Sequence, residues 1–141
     1  MNWSLSTLFL LFMLAPLLPN LNKVGEVNKV VGNVTITPTQ TDLLPGIAIG
    51  GRVLHDGDII HLSDDGKIQF SLMGNGPHIT MSGFSELRIG FENQDCTLKL
   101  NYGNILAEAS TNTHTVCSII TNSSSIKLDE GELWITRSIT D

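Results

Sequence analysis

The chain has 141 residues and a mass of 15.3 kDa, enough for one domain of ordinary size and too little for two independent cores. Eight basic against 14 acidic residues leave a formal charge of −6, which argues against a protein that tracks nucleic-acid phosphates, because such binding needs a basic stripe to displace counterions. With 41% hydrophobic and 16% charged residues, the sequence is also too apolar and too regularly punctuated to remain disordered.

Residues 1–22 contain no Lys, Arg, Asp or Glu, and Leu5 to Leu18 form an almost continuous apolar run. The segment reads as a signal peptide or a hydrophobic N-terminal anchor. No basic residue precedes the run, and Ala15, followed by Pro16, is its one plausible small-residue cleavage point. Trp3 to Leu21 barely reaches the roughly 20 residues needed to cross a bilayer, and Lys23 and Lys29 on its far side oppose a simple anchor by the positive-inside tendency. The expectation is an exported domain over residues 23–141, touching the membrane only through its N-terminal segment.

Beyond Lys23 the apolar residues alternate. Val34–Thr37, Ile68–Leu72, Leu87–Ile89, Thr97–Leu100 and Leu133–Thr136 each place apolar side chains on one face of a short strand. Between such runs stand Gly50-Gly51, Asp56-Gly57, Asp65-Gly66, Gly74-Asn75-Gly76-Pro77, Glu92-Asn93-Gln94-Asp95 and Glu130-Gly131, residues that supply the positive φ and local hydrogen bonds of tight reversals. The domain is expected to be all-β, with about ten strands. Gly-marked strands near Gly32, Gly51, Gly66, Gly83, Gly103 and Gly131 recur at steps that suit stacked units of a β-solenoid or β-roll, with a β-sandwich as the rival architecture. Cys96 and Cys117 lack a CxxC pattern or zinc-finger histidines. They are either a disulfide joining neighbouring rungs or two small buried hydrophobes.

With these turns in place, Val30 to about Ile135 resembles the FecR family, the periplasmic domain of bacterial sensors that regulate extracytoplasmic sigma factors. The features that carry the resemblance are Val31-Gly32-Asn33-Val34, then Gly51-Arg52-Val53-Leu54-His55-Asp56-Gly57-Asp58-Ile59-Ile60, the Gly66 turn, Ser85-Glu86-Leu87-Arg88-Ile89, and Leu98, Leu100, Gly103 and Leu106. The most specific element is Leu-x-x-Gly-Asp-x-Ile over Leu54 to Ile60. The resemblance implies a stacked β domain in the periplasm or cell envelope that receives a signal from a protein partner, and it assigns Gly32, Gly51, Asp56, Gly57, Asp58, Ile60, Gly66, Leu87 and Gly103 to structure. Sigma-factor control is not carried over, since no anti-sigma region precedes the apolar run. The family's late Gly-Thr-x-Phe signature gives way to Asp129-Glu130-Gly131-Glu132-Leu133-Trp134.

Several side chains invite sharper readings. His55, Asp56, Asp58 and His61 are metal-capable, but the Asp56-Gly57-Asp58 turn separates the imidazoles and its carboxylates suit backbone capping, so no metal is expected. Asp64-Asp65-Gly66 lacks the rest of a calcium loop. Gly83-Phe84-Ser85-Glu86-Leu87 is half of a nucleophile elbow, without the strand-to-helix turn the elbow requires. Glu86, Glu108, Glu130 and Glu132 are scattered rather than paired. No enzyme and no cofactor is expected. Trp134 faces away from Leu133 and Ile135, and either packs on a neighbouring rung or offers a platform to a sugar or a partner. Two functions follow: a non-catalytic envelope module docking a protein, with strand edges open to strand addition, or an adhesive, carbohydrate-binding domain using Trp134, Tyr102 or Phe91.

Overall fold

The computed structural model describes residues 23–39, 45–93, 95–110 and 115–138. Residues 1–22, read above as signal peptide or anchor, lie outside them. The described residues are all-β: eleven strands and no helix, in one curled, largely antiparallel sheet shaped as a half-barrel.

Two fifteen-residue strands, β7 (His78–Glu92) and β8 (Asp95–Ala109), form the spine. Because they are so long, each half of the hairpin serves a different set of neighbours. On one half, β5 (Ile59–Leu62) pairs with Ser85–Arg88 of β7, followed by β2 (Val34–Thr37) and β3 (Gly46–Ile47). Across the hairpin, β9 (Val116–Ile120) runs parallel to the start of β8, with β10 (Ser125–Leu128) beyond it. On the other half, β6 (Lys67–Leu72) pairs with His78–Ser82, then β1 (Lys23–Val31) and β4 (Val53–His55), while β11 (Gly131–Arg137) pairs with the end of β8. Residues 48–52 tie the curled ends together: the Ala48 amide donates to the Val34 carbonyl (2.9 Å) and the Val27 amide to that of Arg52 (2.8 Å).

Alternation produces the core. Ile68, Phe70 and Leu72 of β6, Val34 and Ile36 of β2, and Ile79, Met81, Leu87 and Ile89 of β7 all point inward and are buried, each burial worth about 1.5–3 kcal/mol. Cys96 and Cys117 are opposite one another in the β8–β9 ladder, Cα atoms 4.4 Å apart, and form a disulfide inside this core. The disulfide reading of the pair is therefore the one realised.

Gly83 and Gly103 behave differently from the other glycines that mark strand boundaries in the sequence. They interrupt nothing: β7 and β8 continue through them as a pair of facing irregularities. Between the pairs Ser82↔Asn104 and Glu86↔Tyr102, β7 passes through Gly83, Phe84 and Ser85 while β8 passes only through Gly103; Asn101 is then extra on β8. Such bulges bend a hairpin sharply without ending it. The slip also changes the phase of β8, so that Leu98 and Leu100 are followed inside by Ile105 and Ala107, and Leu106 turns outward.

Candidate interaction surfaces

The Leu54–Ile60 motif is spent on holding a turn. Asp58 Oδ2 accepts the His55 amide (2.9 Å), and the Asp58 amide returns a bond to the His55 carbonyl (3.1 Å). Gly57 (φ 88°) donates to the Ile89 carbonyl and the Ile89 amide to that of Asp58, while Asp56 Oδ1 accepts the Phe91 amide (2.9 Å). A side chain at Gly57 would meet Thr39 as well as the strained φ. These bonds extend the β5–β7 ladder across the turn. Asp58 is 2% exposed and its Oδ1 has no hydrogen-bond partner among the described residues; burial, opposed by the His55 bond and nearby positive groups, raises its pKa above the usual carboxylate value.

The remaining motif residues occupy structural places. Gly32 lies in the β1–β2 turn, Gly51 in the turn before β4, and Gly66 in the Asp64–Asp65 turn, its amide donating to the Ser63 carbonyl. Ile60 and Leu87 are opposite one another in the core. Asp65 accepts from the Ser63 hydroxyl and the Asn33 amide, and these bonds, the Ser63 one foremost, hold its carboxyl below its ordinary value. His55 and His61 stand on different strands. Among the described residues, no three metal-capable side chains converge, and an open concavity of about 1020 Å³ beside Asp56, Glu92 and Asp95 contains no such group.

The bend in the spine builds a surface that sequence spacing did not reveal. Ser85 is buried; its hydroxyl donates to the Ser82 carbonyl (3.3 Å) and accepts the Asn104 amide (3.1 Å), filling the corner where Gly103 supplies room. Phe84 is thereby pushed outward, 44% exposed, and stacks on Tyr102 with centroids 4.9 Å apart and planes 23° apart. His61 from β5 stands edge-on to both rings. Glu86 accepts from Tyr102 Oη (3.1 Å) and Asn101 Nδ2 (2.8 Å), and His61 Nδ1 lies 3.2 Å from Tyr102 Oη and 3.7 Å from Glu86. With the phenol donating to Glu86, a hydrogen bond between Tyr102 Oη and His61 Nδ1 requires the tautomer that carries its proton on Nδ1. Burial, then the Glu86 contact, raises the Tyr102 pKa.

Of the three rings expected to offer stacking surfaces, Phe91 packs against the core, Tyr102 joins the corner, and Trp134 is 64% exposed on β11. Trp134 therefore does not pack on a neighbouring rung. Among the described residues β11 pairs only with β8, leaving its other edge open. Phe84 and Glu86 were missed as partners of His61. The available signal was a glycine beside an aromatic on each strand, Gly83-Phe84 and Tyr102-Gly103. Comparison of the chain with protein-family models, curated proteins and solved structures finds no significant match.

Proposed function

We propose that this chain is a non-catalytic, exported domain similar to FecR that docks a protein partner in the bacterial cell envelope. The observation that carries the reading is the Phe84–Tyr102 stack: an exposed aromatic anchor, braced by His61, Glu86 and Asn101, has the composition and rigidity of the residues that dominate protein interfaces. The Asp56 and Asp58 carboxylates of the FecR-like motif each accept a backbone amide, so that motif serves its own turn, whereas the corner presents its polar and aromatic groups outward. The buried disulfide suits an oxidising compartment.

The experiment is site-specific photocross-linking in the cell envelope from position 84, with Asp64, an exposed turn residue, as the control position. A discrete protein adduct from position 84 that disappears with Tyr102→Ala supports the reading. Equal labelling from both positions refutes it. The exposure of Trp134 favours a second reading, a cell-wall or carbohydrate-binding adhesive domain, which polysaccharide pull-down separates from the first.

A further inference from the structure

Away from the corner, the outer side of β6, β7, β8 and β11 carries a different surface. Strand register places Thr80, Leu106 and Trp134 in one row across the sheet and Lys67, Ser82 and Asn104 in the next. These residues line one shallow groove of about 160 Å³, with Lys67 at one end and the Trp134 indole at the other. A smaller depression of about 60 Å³ continues past Lys67 to Lys29 on β1. At about 4.8 Å per strand across three spacings and about 3.4 Å per residue along one further row, Lys67 and Trp134 are about 16 Å apart. That reach suits several linked sugar rings better than one.

The lining has a consistent chemistry. Neither Lys29 nor Lys67 has an ion-pair partner among the described residues, so both ammonium groups retain their capacity for an anion. Asn104 is held by its bonds to the Ser82 carbonyl and the Thr136 hydroxyl, which fixes the orientation of its amide at the groove floor. The lining combines the Thr80 and Ser82 hydroxyls and the Asn104 amide with the aliphatic Leu106, and one large ring stands at its rim. An indole suits the apolar face of a pyranose, short hydroxyl and amide side chains suit sugar hydroxyls, and two lysines on a chain of charge −6 suit a polymer bearing acid groups.

We propose that this groove binds an anionic polysaccharide, with Trp134 stacking on a sugar ring and Lys67 and Lys29 pairing with its acid groups. The inference deepens the carbohydrate-binding reading and is independent of protein docking at the corner.

The test is affinity electrophoresis and titration of the full chain with polygalacturonate and with its fully methyl-esterified form, which keeps the sugar backbone and removes the charge. Binding to the acid form that weakens about tenfold in Trp134→Ala and in Lys29→Gln/Lys67→Gln supports the proposal, provided that the charge-matched Arg88→Gln/Lys99→Gln control still binds. Equal binding of the esterified polymer overturns the anionic assignment while leaving a carbohydrate role. Binding lost equally in the charge-matched control overturns the groove as its location. No binding of either polymer overturns the inference, while the polysaccharide pull-down separately decides the carbohydrate reading. These side chains lie on the solvent side of the sheet, and an unchanged far-ultraviolet circular-dichroism spectrum verifies that each variant is folded.

Discussion

Replacing Gly103 by alanine attacks the bend on which the aromatic corner depends. Gly103 has a φ of +104°, a conformation whose cost to an L residue is about 1–3 kcal/mol. The added Cβ would stand 2.5 Å from the Ser85 Cα and nearer still to that residue's Cβ and Oγ. A hydroxyl could rotate away, but Cα belongs to the backbone of the facing bulge, so overpacking adds about another 1–3 kcal/mol. The expected loss is about 2–6 kcal/mol, measured by urea unfolding as a fall in the midpoint with an unchanged slope. Gly131→Ala supplies the comparison: its φ is +96°, but nothing lies within 4 Å of the added Cβ, so only the backbone part, about 1–3 kcal/mol, is expected. Combining Gly103→Ala with Ser85→Gly removes the atoms that the methyl meets most closely, and the pair should show a compensating coupling of at least about 1 kcal/mol. A Gly103→Ala protein within about 0.5 kcal/mol of the parent, or strictly additive substitutions, would refute the account of the corner.

Tyr102 is the only tyrosine in the chain, so tyrosinate absorbance reports it directly: its midpoint should lie above 10.0 and fall towards that value in Glu86→Gln. Because the folded pKa is raised, the stability it contributes is present below pH 10.0 and is lost as pH rises through the folded value; an unmoved midpoint in the variant would rule out the Glu86 contact. The disulfide closes a sequence separation of 21 residues, and chain entropy gives about 3.3 kcal/mol for removing it. Non-reducing urea unfolding of Cys96→Ala/Cys117→Ala should show at least that loss, and a change below about 1 kcal/mol would contradict this estimate. For Asp58, burial raises the folded pKa, so its contribution favours the fold below pH 3.8 and is lost as pH rises through the raised value. Asp58→Asn keeps an acceptor for the His55 amide and should therefore gain on the parent over that same rise in pH; a stability difference independent of pH would count against the buried carboxylate as its cause.

The all-β architecture was legible because alternation is local: the apolar residues of β6 are spaced by two, and no window sustains a helical period. The turn chemistry of Asp56-Gly57-Asp58 was equally legible, because an Asp side chain caps amides a few residues away. What escaped was long-range register. Gly83 and Gly103 look like turn residues in isolation; only their meeting across β7 and β8 makes them bulges and reverses which residues of β8 face the core. His61 and Tyr102 are separated by 41 positions and meet only because β5 and β8 flank the same half of β7. Exposure of Trp134 depends on what lies beyond β11, and alternation within that strand says only which side the ring takes.

The position of β1 has a consequence for how the domain can close. Lys23–Val31 makes no ladder with β2, its immediate successor; its partners are β4 and β6. A chain emerging N-terminus first would thus keep Val24 and Val27 uncovered until Leu72 had followed. Completion of the sheet would then wait on that pairing, and the first strand would stay open to proteases and aggregation until it formed.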